Sequence, residues 1–250
     1  VQKALADAFM PADTLSIPFT PLIVDNGSKL VLIDTGSGGQ IAPTAGSLGA
    51  NLAAANIDAK DISAIVISNF HPDHINGIKT KDNEMVFPNA EIHVPEAEWS
   101  YWMDDANLNA SPPNFIRGYF LNARRIFRDI AARVTLFAPG TEIAPGITAI
   151  AAPGHTPGHC AFAIDSGNQS LLALCDTTNN PYLFARHPEW MPVIDHDGPL
   201  AVATRKRLLD RAAAERMLVT GYHFPFPACG HIAKTASGYE CVPLLWQQEL

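Results

Sequence analysis

The sequence predicts an α/β fold, an αββα sandwich in which two mixed β-sheets lie between outer helices. Short apolar runs bounded by Gly, Pro, Asn and Asp recur along the 250 residues, as is typical of β-strands. Alanine- and leucine-rich stretches with helical spacing are interspersed among these runs. No linker or change in composition divides the chain, so we expect one domain spanning residues 1–250, with a helical insertion at about 96–132.

The first series of strands contains a predicted hairpin. Its strands are predicted at 15–19, 21–27, 29–36, 64–68, 91–95 and 134–139. The sequence Asp25-Asn26-Gly27-Ser28 separates the second and third of these runs, and an Asn-Gly step between β-rich segments is a strong hairpin signal. Helices are predicted at 43–56, 95–104 and 114–132.

The second series of strands is interrupted by one long helix. Its strands are predicted at 147–154, 159–165, 170–176 and 216–223. The helix is predicted at 198–215, with Asp197 as its N-cap. Pro199 falls in the first turn, where a missing N–H group does no harm.

Charge and composition exclude two classes of partner. The chain has 17 Lys and Arg against 25 Asp and Glu, a formal net charge of −8, whereas phosphate binding requires a basic face. No apolar run approaches the roughly 18 residues of a membrane helix. We therefore expect a soluble protein that binds neither nucleic acid nor membrane. The chain starts VQKALADAF and shows no signal peptide, so a cytoplasmic and a periplasmic location both stay open.

The predicted strand 64–68 is followed by a loop that holds three potential metal ligands, His71, Asp73 and His74. Histidine is a common metal ligand, and a carboxylate can bridge two cations. In an irregular loop, neighbouring side chains can converge on one point, whereas a regular strand would alternate them between its faces. The alternative interpretation is a polar turn without a metal.

Three more strand ends carry residues of the same kind. His155 lies between two Pro-Gly turns, and His223 follows the last predicted strand. Asp176 ends an apolar strand, where a buried carboxylate is unfavourable without a partner. Four strand ends that each deliver His or Asp predict one shared metal site.

Taken in order, these motifs resemble those of the metallo-β-lactamase superfamily. The matching segments are IDTG (33–36), HPDH (71–74), PGHTPGH (153–159), LCDTT (174–178) and GYHFP (221–225). Within the superfamily, the chain looks most like the methyl parathion hydrolase branch and, more distantly, the quorum-quenching lactonases. GSKLVLIDTGSGG, HPDHINGI, TRKRLLDRAA and HFPFPACGHI carry that likeness. The resemblance implies the αββα fold, a metal centre at one edge of the two sheets, and a homodimer.

The resemblance also implies a role for each motif residue. One metal would be bound by His71 and His155, the other by Asp73, His74 and His223, with Asp176 bridging them and Asp34 orienting the ligand loop. Imidazole and carboxylate ligands without thiolate suit Zn²⁺, Mn²⁺, Fe²⁺ or Co²⁺, and zinc, as one or two ions, is the default expectation. Asp73 is also the expected catalytic residue, accepting a hydrogen bond or a proton from the attacking water.

Asn69 departs from the family pattern, which has histidine at this position. A neutral amide oxygen is a poorer zinc ligand than imidazole. Three interpretations stay open: weak ligation through the amide oxygen, loss from the ligand set, or a hydrogen bond to substrate or to metal-bound water. We expect a weakened first site, with fewer than two tightly held metal ions per chain.

Several charged and imidazole positions are expected to be structural. The segment 195–197, Asp-His-Asp, precedes a helix and is expected to cap it and face solvent. Arg205, Lys206 and Arg207 are expected to form the solvated face of that helix. His159 follows His155 by four residues across a turn, which favours a structural role over ligation.

The substrate is indicated only by composition around the motifs. Aromatic residues in the surrounding loops favour a small, largely apolar molecule, and the candidate pocket residues are Phe70, Trp99, Phe184, Phe224 and His231. We therefore expect a zinc-dependent hydrolase of a small ester, lactone or organophosphate. The alternatives are a hydrolytic dehalogenase of a chlorinated aromatic of the chlorothalonil type, suggested by Asn69, and a catalytically weak binding domain.

Overall fold

The computed structural model describes residues 1–245, which form seven α-helices and twelve β-strands. The helices are α1 (Gln2–Asp7), α2 (Leu48–Ala54), α3 (Pro72–Ile75), α4 (Glu96–Trp102), α5 (Asp105–Ala110), α6 (Phe115–Phe127) and α7 (Gly198–Ala214). The strands are β1 (Leu22–Asp25), β2 (Leu30–Ile33), β3 (Ile62–Val66), β4 (Glu91–Pro95), β5 (Val134–Phe137), β6 (Glu142–Ala144), β7 (Ile147–Ala151), β8 (Cys160–Ser166), β9 (Gln169–Ala173), β10 (Leu218–Thr220), β11 (Cys229–Lys234) and β12 (Tyr239–Pro243).

Shorter helical turns lie between these elements. Four 3-10 turns cover Ala59–Asp61, Asn76–Ile78, Arg128–Arg133 and Cys175–Thr177, and a π-helical turn covers Pro181–Ala185. None of the described helices is long and apolar enough to cross a membrane.

The chain forms two compact units, and each unit is built from segments that are not contiguous in the sequence. The first-sheet unit comprises Pro21–Ala151 and Thr156–Cys160. The second-sheet unit comprises Val1–Thr20, Ala152–His155 and the chain from Ala161 onward. The single domain that we predict from the sequence stays a prediction.

The first-sheet unit holds a mixed five-stranded sheet in the order β1-β2-β3-β4-β5. The β1–β2 pair is antiparallel and the other pairs of this sheet are parallel, and β6 pairs antiparallel with β7. The predicted hairpin is present: the Asn26 N–H donates to the Lys29 carbonyl at 3.2 Å. The core packs sheet residues such as Ile65 and Ile92 with Phe120 and Phe127 of α6.

The second-sheet unit carries strands in the order β12-β11-β10-β9-β8, where β9 and β10 are parallel and the other neighbours antiparallel. Its helix α7 begins as predicted, because the Asp197 side chain accepts a hydrogen bond from the Leu200 N–H at 3.0 Å. The parallel β9–β10 pair places the ends of these two strands side by side, which is where Asp176 and His223 follow.

The predicted fold class, two mixed sheets with flanking helices, is confirmed, while several boundaries differ. The segment 15–19 is not a strand, and α6 ends at Phe127, with a 3-10 turn over Arg128–Arg133 where a continuous helix is predicted. Strands β6, β11 and β12 were not predicted, because their short or Gly- and Lys-containing sequences lack a strong apolar run.

Candidate metal centre

The ends of β2 and β3 position the candidate ligands of the first-sheet unit. Asp34 follows β2 with a positive φ of 58°, an uncommon conformation outside glycine. Its carboxylate is fully buried and accepts hydrogen bonds from the Ser68 N–H at 2.8 Å and the Ser68 hydroxyl at 2.7 Å. The same carboxylate contacts His74 Nδ1 at 2.8 Å. Because a carboxylate accepts, His74 carries its proton on Nδ1 and presents Nε2 as a ligand atom.

The HPDH segment is a short helix rather than the predicted irregular loop. His71 stands at the N-cap of α3, and Pro72 occupies the first turn, where its missing N–H is harmless. The helix is fastened to the end of β2, because the Thr35 N–H and hydroxyl both donate to the His74 carbonyl, at 2.8 and 2.7 Å. A Cβ atom at Gly77 would stand 1.9 Å from the Thr35 carbonyl oxygen, so only glycine allows this approach.

Of the ligand residues predicted in the first-sheet unit, Asp73 and His74 lie in contact with each other. His71 and His74 are buried, and the Asp73 side chain is 17% exposed, with one oxygen 3.6 Å from His74 Nε2. Two aromatic rings border His71: Tyr119 at 5.0 Å and Trp102 at 6.1 Å between ring centroids. Burial raises the pKa of Tyr119, and the nearby charge of Asp73 adds to this effect. Tyr119 was not among the predicted pocket residues.

Asn69 is fully buried, and its amide hydrogen-bonds to its own loop. The side-chain oxygen accepts from the His71 N–H at 2.9 Å, and the side-chain nitrogen donates to the Ser68 hydroxyl at 3.2 Å. An oxygen with this backbone bond keeps one lone pair for another partner. The three interpretations of Asn69 therefore stay predictions.

A buried carboxylate supports the same loop. Glu98 of α4 is fully buried and accepts hydrogen bonds from the Phe70 N–H at 2.8 Å, the Gly158 N–H at 2.7 Å and the Trp102 indole at 2.8 Å. Burial raises the pKa of the Glu98 carboxyl, while a hydrogen bond with the Thr156 side chain and the three bonds above act in the opposite direction. Glu98 thus joins the residue before His71 to the PGHTPGH loop.

In the second-sheet unit, one carboxylate lies between two imidazoles. Asp176 is buried in the 3-10 turn after β9, and its Oδ2 lies 2.9 Å from His155 Nε2. Its Oδ1 lies 3.2 Å from His223 Nε2. Both histidines are also buried. The three side chains that sequence reasoning assigned to different strand ends are therefore in contact.

The other nitrogen of each imidazole decides what this arrangement can bind. His223 Nδ1 lies 2.8 Å from the Pro18 carbonyl, which can only accept, so Nδ1 carries a proton. In a neutral ring, Nε2 is then a bare lone pair that faces the Asp176 carboxylate, and two acceptors at this distance repel. A positive charge between them, either a proton or a metal ion, removes the repulsion. The donor set therefore fits a divalent metal.

The Nδ1 atom of His155 also has a hydrogen-bond acceptor, here a carboxylate instead of a backbone carbonyl. Its Nδ1 lies 2.9 Å from Asp195 Oδ1, so both ring nitrogens face carboxylates. Burial by itself lowers the pKa of His155, but Asp176 and Asp195 outweigh it and raise the pKa to about 9. Two carboxylates that face one buried imidazole favour positive charge there, which suits a cation.

Asp195 and Arg205 differ from the sequence-based expectation. Asp195 was expected to face solvent as part of a helix cap, yet its side chain is 1% exposed, and Asp197 alone acts as the cap. Arg205 was expected on a solvated face, but its side chain is also 1% exposed and lies 3.6 Å from Asp195. The expectation was wrong for these two residues, because burial of a charged residue depends on a partner that is distant in sequence. Asp197, Lys206 and Arg207 are exposed as expected.

The predicted pocket residues divide between packing and surface. Phe70 is fully buried and stacks on Phe127 at 4.6 Å, Trp99 packs edge-on against Phe127 at 5.8 Å, and Phe224 is buried. Phe184 lies 5.6 Å beneath the Arg205 guanidinium. His231 is exposed on β11 opposite Leu218, the first residue of β10, whereas His223 follows the other end of that strand. Their proposed contacts with substrate stay predictions.

Six His and Asp residues thus form the candidate metal-ligand groups of the described chain: His71, Asp73, His74, His155, Asp176 and His223. The buried His159 is not among these groups, and the structural role expected for it stays a prediction.

Comparisons with known proteins point to one family. Probable metallo-hydrolases of Mycobacterium bovis and Mycobacterium tuberculosis are each 29% identical over 60% of this chain. The chain spans about half the length of these relatives, with 54% of each covered. An N-acyl homoserine lactonase of Bacillus cereus is 23% identical over 87% of this chain and 86% of the lactonase.

Two solved structures resemble the whole chain. AidC, a dizinc quorum-quenching lactonase solved with the product N-hexanoyl-L-homoserine, is 29% identical, with a TM-score of 0.92 over 99% of this chain and 86% of AidC. The hydrolase AbOPH, of the β-lactamase superfamily, is 25% identical, with a TM-score of 0.93 over 99% of this chain and 87% of AbOPH. The family model of the metallo-beta-lactamase superfamily matches residues 20–221. The chain therefore belongs to the metallo-beta-lactamase superfamily.

Proposed function

We propose that this chain is a metal-dependent hydrolase of small, largely apolar lactones and esters, with zinc as its metal. The observation that carries the proposal is the Asp176 carboxylate, whose two oxygens each face the Nε2 atom of a buried histidine. This is the arrangement that a bridging carboxylate requires if each imidazole binds its own cation. The likeness to the lactonase AidC, at 29% identity, supports the choice of lactones.

In this proposal, the candidate ligands hold two metal positions of unequal strength. His71 and His155 hold the first metal, while Asp73, His74 and His223 hold the second, and Asp176 is shared. Asp34 and the Pro18 carbonyl fix the rings of His74 and His223 through their Nδ1 atoms. Asn69 occupies the place of a further ligand to the first metal, so that position is the weaker one.

The chemistry divides between metal and protein. A divalent metal lowers the pKa of a bound water from near 16 to about 7 and polarises the bond under attack. Asp73 is the only partly exposed carboxylate among the candidate ligands and accepts the proton of the attacking water. Tyr119 and Trp102 provide apolar surface beside His71 for a non-polar substrate. A homodimer, implied by the resemblance, stays a prediction.

The test is a substrate panel on the purified chain after removal of metal and after addition of Zn²⁺. The panel contains acyl-homoserine lactones, p-nitrophenyl esters, methyl parathion and chlorothalonil. We expect lactone or ester hydrolysis that a chelator abolishes and Zn²⁺ restores. Asp176→Asn should remove this activity, whereas Asp165→Asn, which changes an exposed carboxylate on β8, should not.

Two outcomes would contradict the proposal. Chloride release from chlorothalonil without lactone or ester hydrolysis would favour the dehalogenase, for which Asn69 at the altered first position is the supporting observation. A zinc-loaded chain that turns over no member of the panel would favour a binding domain.

A further inference from the structure

Asp195 and Arg205 form a buried ion pair that contacts a candidate metal ligand. Asp195 Oδ1 lies 2.9 Å from His155 Nδ1, and Asp195 Oδ2 lies 3.6 Å from Arg205 Nη2. Both charged side chains are 1% exposed. Burying two charges is unfavourable by several kcal/mol per ion before their attraction is counted, so a pair at this depth needs further partners.

Arg205 has those partners in the backbone that leads away from Asp176. Its Nε donates to the Thr177 carbonyl at 3.0 Å, and its Nη1 donates to the Pro188 and Trp190 carbonyls at 3.0 and 2.7 Å. Thr177 directly follows Asp176 in the chain. One guanidinium therefore fixes the residue after the bridging carboxylate and also contacts the carboxylate that binds His155. Three carbonyls in different directions require the planar fork of arginine, which lysine lacks.

The backbone around His155 is held by the same segment. The His196 N–H donates to the His155 carbonyl at 3.0 Å, and the Asp197 N–H donates to the Gly154 carbonyl at 2.9 Å. With the main chain of His155 fixed by these bonds, the χ1 and χ2 torsions of its side chain remain to be restrained. The bond from Nδ1 to Asp195 restrains them.

We propose that Asp195 and Arg205 are positioning residues for metal binding: Asp195 holds the proton of His155 on Nδ1 so that Nε2 faces Asp176, and Arg205 holds Asp195 in place. This inference rests on the proposed function, because it assumes that His155 and Asp176 bind metal. Carboxylates that bind the far nitrogen of a ligating histidine raise its basicity, and their loss typically weakens metal affinity about 10–100-fold.

The experiment is a Zn²⁺ titration of the purified, metal-stripped chain, followed by calorimetry, for the native protein and four variants. Asp195→Asn keeps an oxygen for the Nδ1 proton but removes the charge, and Arg205→Lys keeps a charge but loses the fork. The matched controls are Asp197→Asn, which retains a side chain able to cap α7, and Lys206→Met, which changes the exposed neighbour of Arg205.

We expect Asp195→Asn and Arg205→Lys to weaken at least one zinc-binding step about 10–100-fold, while both controls stay within about threefold of the native protein. The urea midpoint of each metal-free variant is measured in parallel. A purely structural pair would lower that midpoint and leave the zinc affinity of the folded protein unchanged, which would overturn the inference. Should Arg205→Lys fail to fold, the near-isosteric Asp195→Asn decides the question.

The same titration separates this inference from the proposed function. A native chain that binds no Zn²⁺ would contradict the proposed function itself. If the native chain binds Zn²⁺ and Asp195→Asn binds it with the same affinity, only the positioning role of Asp195 and Arg205 is contradicted.

Discussion

Replacing Glu98 with glutamine should destabilise the first-sheet unit, chiefly through the hydrogen bond from the Gly158 N–H; the Thr156 side chain is a further partner of this carboxyl group. Glu98 Oε2 accepts from the Phe70 N–H and the Trp102 indole, and Oε1 accepts from the Gly158 N–H. Glutamine can keep the first two bonds with its oxygen, but its NH₂ group then faces the Gly158 N–H. An unsatisfied buried donor is unfavourable by about 1–3 kcal/mol. Loss of charge weakens the two remaining bonds, and relief of a buried charge partly offsets this, so we expect a net loss of about 2 kcal/mol.

The assay is urea unfolding of the metal-free chain, so that metal binding does not contribute to the measured stability. A loss of about 2 kcal/mol corresponds to a fall in Tm of roughly 4–8 °C for a protein of this size. Glu96→Gln is the matched control, because Glu96 is exposed in the first turn of the same helix. It should lose less than about 1 kcal/mol, the value of a favourable helix-dipole charge. Equal losses for the two variants would refute the reasoning.

Three further predictions concern the loop and its surroundings. Asp34→Asn should weaken zinc binding about 10–100-fold, because it removes the charge beside His74 Nδ1, and calorimetry with Zn²⁺ would detect this. Asn69→His should raise the number of zinc ions retained after dialysis against a chelator; two ions already retained by the native chain would contradict the weak first site. Asp129→Asn should destabilise the chain at pH 7, because it leaves the buried Lys79 ammonium without its carboxylate. The hydrogen bond from Lys79 lowers the pKa of Asp129. The stabilisation by this ion pair is therefore fully present above the ordinary carboxyl pKa and is lost as the pH falls through the lowered pKa of Asp129. Urea midpoints of native and Asp129→Asn chains should therefore converge on acidification, and a gap independent of pH would contradict this.

The fold class and the candidate ligands could be predicted because both depend on local signals. The apolar runs at 170–176 and 216–223 predict the strands β9 and β10, while their parallel pairing, which brings the ends that lead to Asp176 and His223 side by side, is known only from the structure. The start of α7 was equally predictable, since an N-cap acts within four residues of chain.

The residues that support the ligands were not predictable in the same way. Arg205 lies in a run of basic residues whose composition indicates a solvated face, and only its contacts with Thr177, Pro188 and Trp190 reveal that it is buried. Glu98 was likewise indistinguishable from Glu96, although one is buried and the other exposed. Such partners lie up to 60 residues away, as for Gly158 and Glu98, and no local pattern encodes them. A buried Arg or Glu lies only two positions from an exposed residue of the same charge in each helix. Its burial can be recognised only once it is known which face of the helix packs against the core.

The central claim is that His and Asp side chains from different strand ends bind the same zinc ion. X-ray diffraction from crystals of the zinc-loaded chain, with data at the zinc absorption edge, tests this claim most directly. The account predicts an anomalous peak at about 2.0–2.2 Å from an Asp176 oxygen and from the Nε2 atom of His223 or His155. His71, Asp73 or His74 should complete its coordination. Zinc bound elsewhere, or Asp176 and both histidines keeping their mutual contacts with no ion between them, would contradict the account.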